Sequence, residues 1–177
     1  MKTSGCESRA GRAFTLLELA IALVVVGILA TMLLPVYAGM RARAQKAQCI
    51  AHLHNLYVAA DLYVQRNGSW PQIAHGDSGT GDADFANAWI DALAPFGPTR
   101  QTWICPAIEE VLQNPDYQQP QNARLDYFPM SFDDKPTTPH RWPRQPWFVE
   151  TANVHGHGNL IIFTDGSVSQ TGDLMPR

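Results

Sequence analysis

Basic residues are not in excess in this chain. Thirteen Lys and Arg against 16 Asp and Glu leave a net charge of -3. A nucleic-acid binder normally presents a basic face, so nucleic acid is not an expected partner. Cysteine is scarce: Cys6, Cys49 and Cys105 are the only three, and no C-x-x-C pair of the kind that builds zinc sites occurs. Neither G-x-S-x-G nor H-E-x-x-H is present, so no familiar hydrolase or metalloprotease framework is offered. Long helices are excluded from much of the second half, because 10 of the 13 prolines fall between Pro95 and Pro146. At 177 residues the chain has room for one domain with an extension.

One long apolar run is present. Residues 14–37 contain a single charged side chain, Glu18, and are preceded by Lys2, Arg9 and Arg12. About 20 apolar residues span a bilayer core as a helix. A carboxylate in such a helix costs about 2.5–3.5 kcal/mol at its centre, so it calls for a partner. Composition alone leaves three readings of the segment. It is a plain anchor, or a secretory signal cut after Val36-Tyr37-Ala38, or a processed helix that self-assembles. Glu18 and the length of the run count against the signal. Charge does not fix orientation, since Lys2, Arg9 and Arg12 are balanced by Arg41, Arg43 and Lys46 beyond the run.

The helical pattern continues past the apolar run. Ile50, Leu53, Tyr57, Ala60 and Val64 recur at spacings of three and four, with Leu56, Leu62 and Tyr63 widening the stripe. One helix is expected over residues 14–66, about 80 Å long at 1.5 Å per residue. Its first half is apolar all round, and its second half suits packing on a head domain. Asn67-Gly68 suits a C-terminal cap. Residues 74–84 read as a loop. Asp77, Asp82 and Asp84 raise calcium, but they lack the alternating oxygens and terminal bidentate Glu of an EF-hand. No cofactor is therefore expected, with Ca2+ the one candidate considered. Phe85, Trp89 and Leu93 share a face of a short helix that Asp82 or Asp84 would cap. Residues 103–106 read as a short buried strand, followed by a helix near 107–112. Loops around one or two edge strands are expected over 113–146.

The tail has the clearest strand signal. Residues 159–164 are apolar and β-branched, Asp165-Gly166 is expected as a two-residue turn, and 167–170 return, giving a hairpin near 159–171. His155, His157 and Asp165 admit a metal or acid/base site, against plain turn chemistry.

Residues 13–40 resemble the N-terminus of type IV pilins and type II secretion pseudopilins. The likeness rests on a short basic leader, Ala13-Phe14-Thr15-Leu16-Leu17-Glu18, and the apolar helix behind it. Glu18 would be the fifth mature residue, and Ala13 stands where most members have glycine. Gly27 and Pro35 fall where the family has helix-softening residues. Gly68-Ser69-Trp70-Pro71 also suits pilin-like proteins. His155, nine residues, then Asp165-Gly166 matches the H-x9-DG motif of a large pilin-like group.

The resemblance implies an α+β fold, a long N-terminal helix on a small antiparallel head. It implies a leader at 1–13, an assembly and transmembrane helix at 14–38, an amphipathic continuation at 39–66 and a head at 67–177. It implies cleavage before Phe14, N-methylation there, and Glu18 of one subunit pairing with the Phe14 amine of the next. The partners implied are copies of itself and other pilin-like subunits, a prepilin peptidase/methyltransferase, an inner-membrane assembly platform and lipid. The N-terminus would be cytoplasmic and the head periplasmic. Cys49 and Cys105 would then share an oxidising compartment and could pair, or stand as separate buried thiols. The bridge would close a loop of more than fifty residues, stabilising by about 3–4 kcal/mol. The function implied is a non-catalytic filament subunit. The alternative is a membrane-anchored or secreted enzyme or metal module using His155, His157 and Asp165.

Overall fold

The computed structural model describes residues 15–74 and 82–174, with side chains at all of these except 32–36. The chain divides into two units, Met1–Met40 and Arg41–Arg177. Helix α1, Leu16–Asn67, contributes to both. Within the first unit its side chains are bare: Leu16 is 87% exposed, and Leu19, Ile21, Leu23, Val24 and Ile28 are all exposed. Among the described residues, no helix is long and apolar enough to cross a membrane. The apolar run read from the sequence starts at Phe14, outside the described residues.

Within the second unit, α1 turns amphipathic and packs. Cys49, Leu53, Leu56, Ala59, Ala60 and Val64 are buried. Their three- and four-residue spacing places them on one stripe. Leu62, read as part of that stripe, is 41% exposed on the flank. Gly68 ends the helix at φ +74°, its N–H donating to the Val64 carbonyl at 2.8 Å. That is the left-handed cap glycine permits.

Four antiparallel strands form one sheet in the order β1-β2-β3-β4: Tyr127–Pro129, Pro146–Glu150, Leu160–Phe163 and Val168–Gln170. Every residue of β3 is buried. The core between α1, the sheet and α2 (Asp82–Leu93) is aromatic. Trp70 is 1% exposed and packs on Trp89, Phe132, Trp147 and Phe148 at ring separations of 4.9–5.9 Å. On α2, Phe85, Ala86, Trp89, Ile90 and Leu93 are buried, the face expected from their spacing. The α+β architecture is the one anticipated, a long N-terminal helix with a small antiparallel sheet.

Three local readings need correction. Asp82 and Asp84 do not belong to a loop; both lie in the first turn of α2, where their charge favours the helix N-terminus. Trp103, Ile104 and Cys105 are buried, but residues 103–106 are not a strand. Arg100–Trp103 is a 3-10 turn, and Pro106 opens α3, Pro106–Leu112. The prolines punctuate this region into short turns that no strand could pair across. The β3–β4 turn is a three-residue one. Gly166 N–H donates to the Phe163 carbonyl at 2.9 Å, Phe163 N–H donates to the Ser167 carbonyl at 3.0 Å, and Gly166 sits at φ +74°. A glycine in the left-handed region after a turn is the usual way to close three residues between paired strands.

Candidate functional site

Two places carry the functional residues read from the sequence. The first is the start of α1. Thr15 precedes the helix, and its hydroxyl accepts from the Glu18 N–H at 3.2 Å. That is an N-cap: a side-chain oxygen satisfies one of the donors a helix leaves free at its start. Glu18 stands in the first turn and is exposed, so its carboxylate lies at the positive end of the helix dipole. The Thr-x-x-Glu spacing that gives this cap is legible in the sequence. Ala13 and Phe14 lie outside the described residues. Gly27 and Pro35 both fall inside α1.

The second place is the head, where the structure splits the H-x9-DG motif. Asp165 is exposed and accepts from the Ser167 N–H at 2.9 Å and from its hydroxyl, contacts that hold its carboxyl below the usual range. Asp165 and Gly166 therefore make a turn. His157 is exposed, and its carbonyl accepts from the Gly172 N–H at 2.9 Å. His155 turns inward, its side chain 3% exposed. Asp77 lies outside the described residues.

His155 meets residues from three other elements. Cys49 comes from α1, Cys105 from the residue before α3, and Glu150 from the end of β2. One donor atom from each of the four lies within 4.8 Å of all the others. His155 Nε2 is 3.6 Å from Cys105 Sγ and 3.2 Å from Glu150 Oε1. Cys49, Cys105 and Glu150 are 0% exposed. Among the described residues, this is the one group of His, Cys, Asp and Glu close enough to share an ion. The two cysteines are thiols, not bonded to one another.

Burial governs the charges here. It pushes the Glu150 carboxyl up to about 8, and the neighbouring Cys105 thiol adds to the shift. Cys105 is itself pushed up, by the adjoining Cys49 thiol and by burial. The Glu150 Oε2 atom accepts from the Leu160 N–H at 3.2 Å, while Oε1 has no hydrogen bond; its approach to His155 is close but not aligned. The Cys105 N–H donates to Asp126 Oδ2 at 2.9 Å, and the Asn159 side chain donates to the Glu150 carbonyl at 2.7 Å. Glu150 had no sequence signal. It closes a short strand after Pro-Trp-Phe-Val, where an acid is ordinarily solvated, and only the fold turns it inward.

Comparison with known proteins bears on the N-terminal segment. Residues 8–34 match the family model described as the prokaryotic N-terminal methylation motif. The chain is 39% identical over 61 residues to the type IV major pilin protein PilE1 of Neisseria gonorrhoeae, covering 34% of this chain and 37% of that one. It is 31% identical over 65 residues to the type II secretion system core protein G of Pectobacterium carotovorum subsp. carotovorum, covering 37% of this chain and 42% of that one. The corresponding protein G of Escherichia coli K12 is 32% identical over 65 residues, covering 37% and 45%. The resemblance to pilins and pseudopilins thus holds. The chain spans roughly two fifths or less of the length of the curated relatives it matches first. No solved structure matches.

Proposed function

We propose that this chain is a pilin-like subunit, cut between Ala13 and Phe14, N-methylated at Phe14 and polymerised through α1 into a filament. The observation that carries the reading is the methylation-motif match over residues 8–34, joined to an N-capped, apolar, uncovered helix start. Residues 1–13 act as leader, 14–38 as the membrane and assembly helix, 39–66 as the stem on which the head of 67–177 folds. The N-terminus lies on the cytoplasmic side and the head in the periplasm until the subunit is extracted. Gly27 and Pro35 soften the helix for that step. A prepilin peptidase/methyltransferase, the inner-membrane assembly platform, lipid and other pilin-like subunits are its partners.

The mechanism is assembly, not catalysis. Exposed apolar side chains along α1 are covered first by lipid and then by neighbouring helices, which removes their area from water or tail contact at each stage. Glu18 then sets the register. A carboxylate inside the filament core is costly unpaired and tolerable when paired, so the favoured axial position puts Glu18 against the Phe14 amine of the next subunit. The helix N-terminus favours the carboxylate while it waits. The head's role is to present its surface outward, either in a secretion pseudopilus or in a pilus. The loop-rich head favours the pseudopilus.

The rival reading, an enzyme or metal module on His155, His157 and Asp165, has no support. His157 and Asp165 are exposed and take no part in the cluster around His155.

Glu18→Ala tests the proposal. Membrane insertion and head folding should match the parent, while the yield of sheared filaments or of the secreted cargo falls at least tenfold, ~1.4 kcal/mol or more per subunit contact. A mutant that assembles at parental yield would sink the pairing.

A further inference from the structure

Cys49, Cys105, Glu150 and His155 are not explained by filament assembly. They lie in the second unit and are drawn from four separate elements. Packing alone would place apolar side chains there, as it does at the neighbouring Leu53, Ile108 and Leu160. A disulfide would account for the two sulfurs only. It would not explain why a fully buried carboxyl and an imidazole nitrogen, 3.2 Å apart, converge on the same point as the sulfurs. Polar groups buried this deeply are costly unless satisfied, and four donor atoms converging on one point are what a bound cation satisfies.

The donor set fits a soft divalent cation. Tetrahedral zinc at about 2.3 Å from sulfur and 2.0–2.2 Å from nitrogen and oxygen would separate its ligands by about 3.3–3.8 Å. The observed Sγ–Nε2 and Nε2–Oε1 separations are 3.6 and 3.2 Å. Thiolate and imidazole select zinc over calcium or magnesium, which prefer all-oxygen shells. Second contacts hold the ligands in place: the Leu160 N–H fixes Glu150 Oε2, and Asp126 fixes the backbone at Cys105. His155 lines an open cleft of about 340 Å³ with Ala42, Arg43, Lys46, Ala107 and Val154.

We propose that Cys49 Sγ, Cys105 Sγ, His155 Nε2 and Glu150 Oε1 bind one Zn2+ ion as a closed structural site. With four protein ligands the ion has no open position, so it staples rather than catalyses. It ties α1 to the start of α3, to the end of β2 and to the β2–β3 loop. His155 of the H-x9-DG motif is then a ligand, and Asp165-Gly166 the turn that closes the hairpin behind it.

The test uses the full-length chain purified in detergent without chelator or reductant. Elemental analysis should find about one zinc per chain after dialysis. Cobalt exchanged into the site should give an intense near-ultraviolet thiolate-to-cobalt charge-transfer band, which requires sulfur ligation. After denaturation with chelator, peptides carrying Cys49 and Cys105 should both be alkylated. His155→Ala and Glu150→Gln should each weaken zinc binding at least about tenfold. Should a variant fail to fold, the zinc content, cobalt spectrum and alkylation of the parent chain still decide. Recovery of a Cys49–Cys105 linked peptide would overturn the proposal, as would a zinc-free chain whose cobalt form lacks the thiolate band.

Discussion

A Cβ added at Gly158 would lie 2.0 Å from Thr171 Oγ1 and 2.9 Å from the Gly172 nitrogen, at φ +94°. Both neighbours are fixed: the Thr171 hydroxyl accepts from the Asn159 N–H, and Gly172 N–H donates to His157. Gly166, at φ +74°, has only the Tyr57 ring at 3.5 Å. Gly166→Ala therefore carries backbone strain alone, about 1–2 kcal/mol. Gly158→Ala carries that and a clash, and should cost more, on the order of 3 kcal/mol. Urea denaturation of the two variants gives the order; equal midpoints would contradict the packing described. His52 offers a pH test. Burial holds its imidazole below the usual value, opposed by its contact with the Ile104 carbonyl at 3.0 Å. The unfolded chain then binds the proton more readily than the folded one. Stability is thus present above about pH 6.5 and is lost as pH falls through the lowered folded value. The raised Glu150 carboxyl acts in the opposite sense over the same range, so the His52 part is read as a difference: between pH 7.5 and 5.5 the His52→Gln variant should gain stability relative to the parent, by melting, and an unchanged difference would contradict the assignment. At this scale the sequence marked His155 as special but not its company. Motif spacing is local, whereas Cys49, Cys105 and Glu150 reach it through tertiary packing.

Elements were more legible where one period ran for many residues. Helix α1 spans Leu16–Asn67 against an expected 14–66, because apolar spacing and the Asn-Gly stop act locally. Its stripe was less well resolved. Leu56 is fully buried, while Leu62 is 41% exposed and Val58 52%. Leu56→Ala should cost about 2–5 kcal/mol, and Val58→Ser should stay within about 0.5 kcal/mol. Guanidinium unfolding of the pair checks which face packs, and a costly Val58→Ser would mean the face is misplaced. Short elements were less legible. Trp103-Ile104-Cys105 has strand composition, yet Pro106 and the 3-10 turn before it deny a partner ladder. The hairpin was found from Asp-Gly, but its loop length depends on where pairing ends, which side-chain alternation does not specify.

For the molecule as a whole, the proposed function turns on the junction of leader and helix. In that reading Ala13 occupies the position before the cut, and Ala13→Gly should raise the processed fraction when the chain is expressed with a prepilin peptidase, read on an immunoblot. An unchanged fraction would show that this position does not limit cleavage. The methylation-motif match covers residues 8–34, which include this junction. Mass spectrometry of the native chain's N-terminus tests the account most directly. The prediction is a mature protein beginning at N-methylated Phe14. A functional chain that still begins at Met1, or one that begins at Gly39, would contradict it.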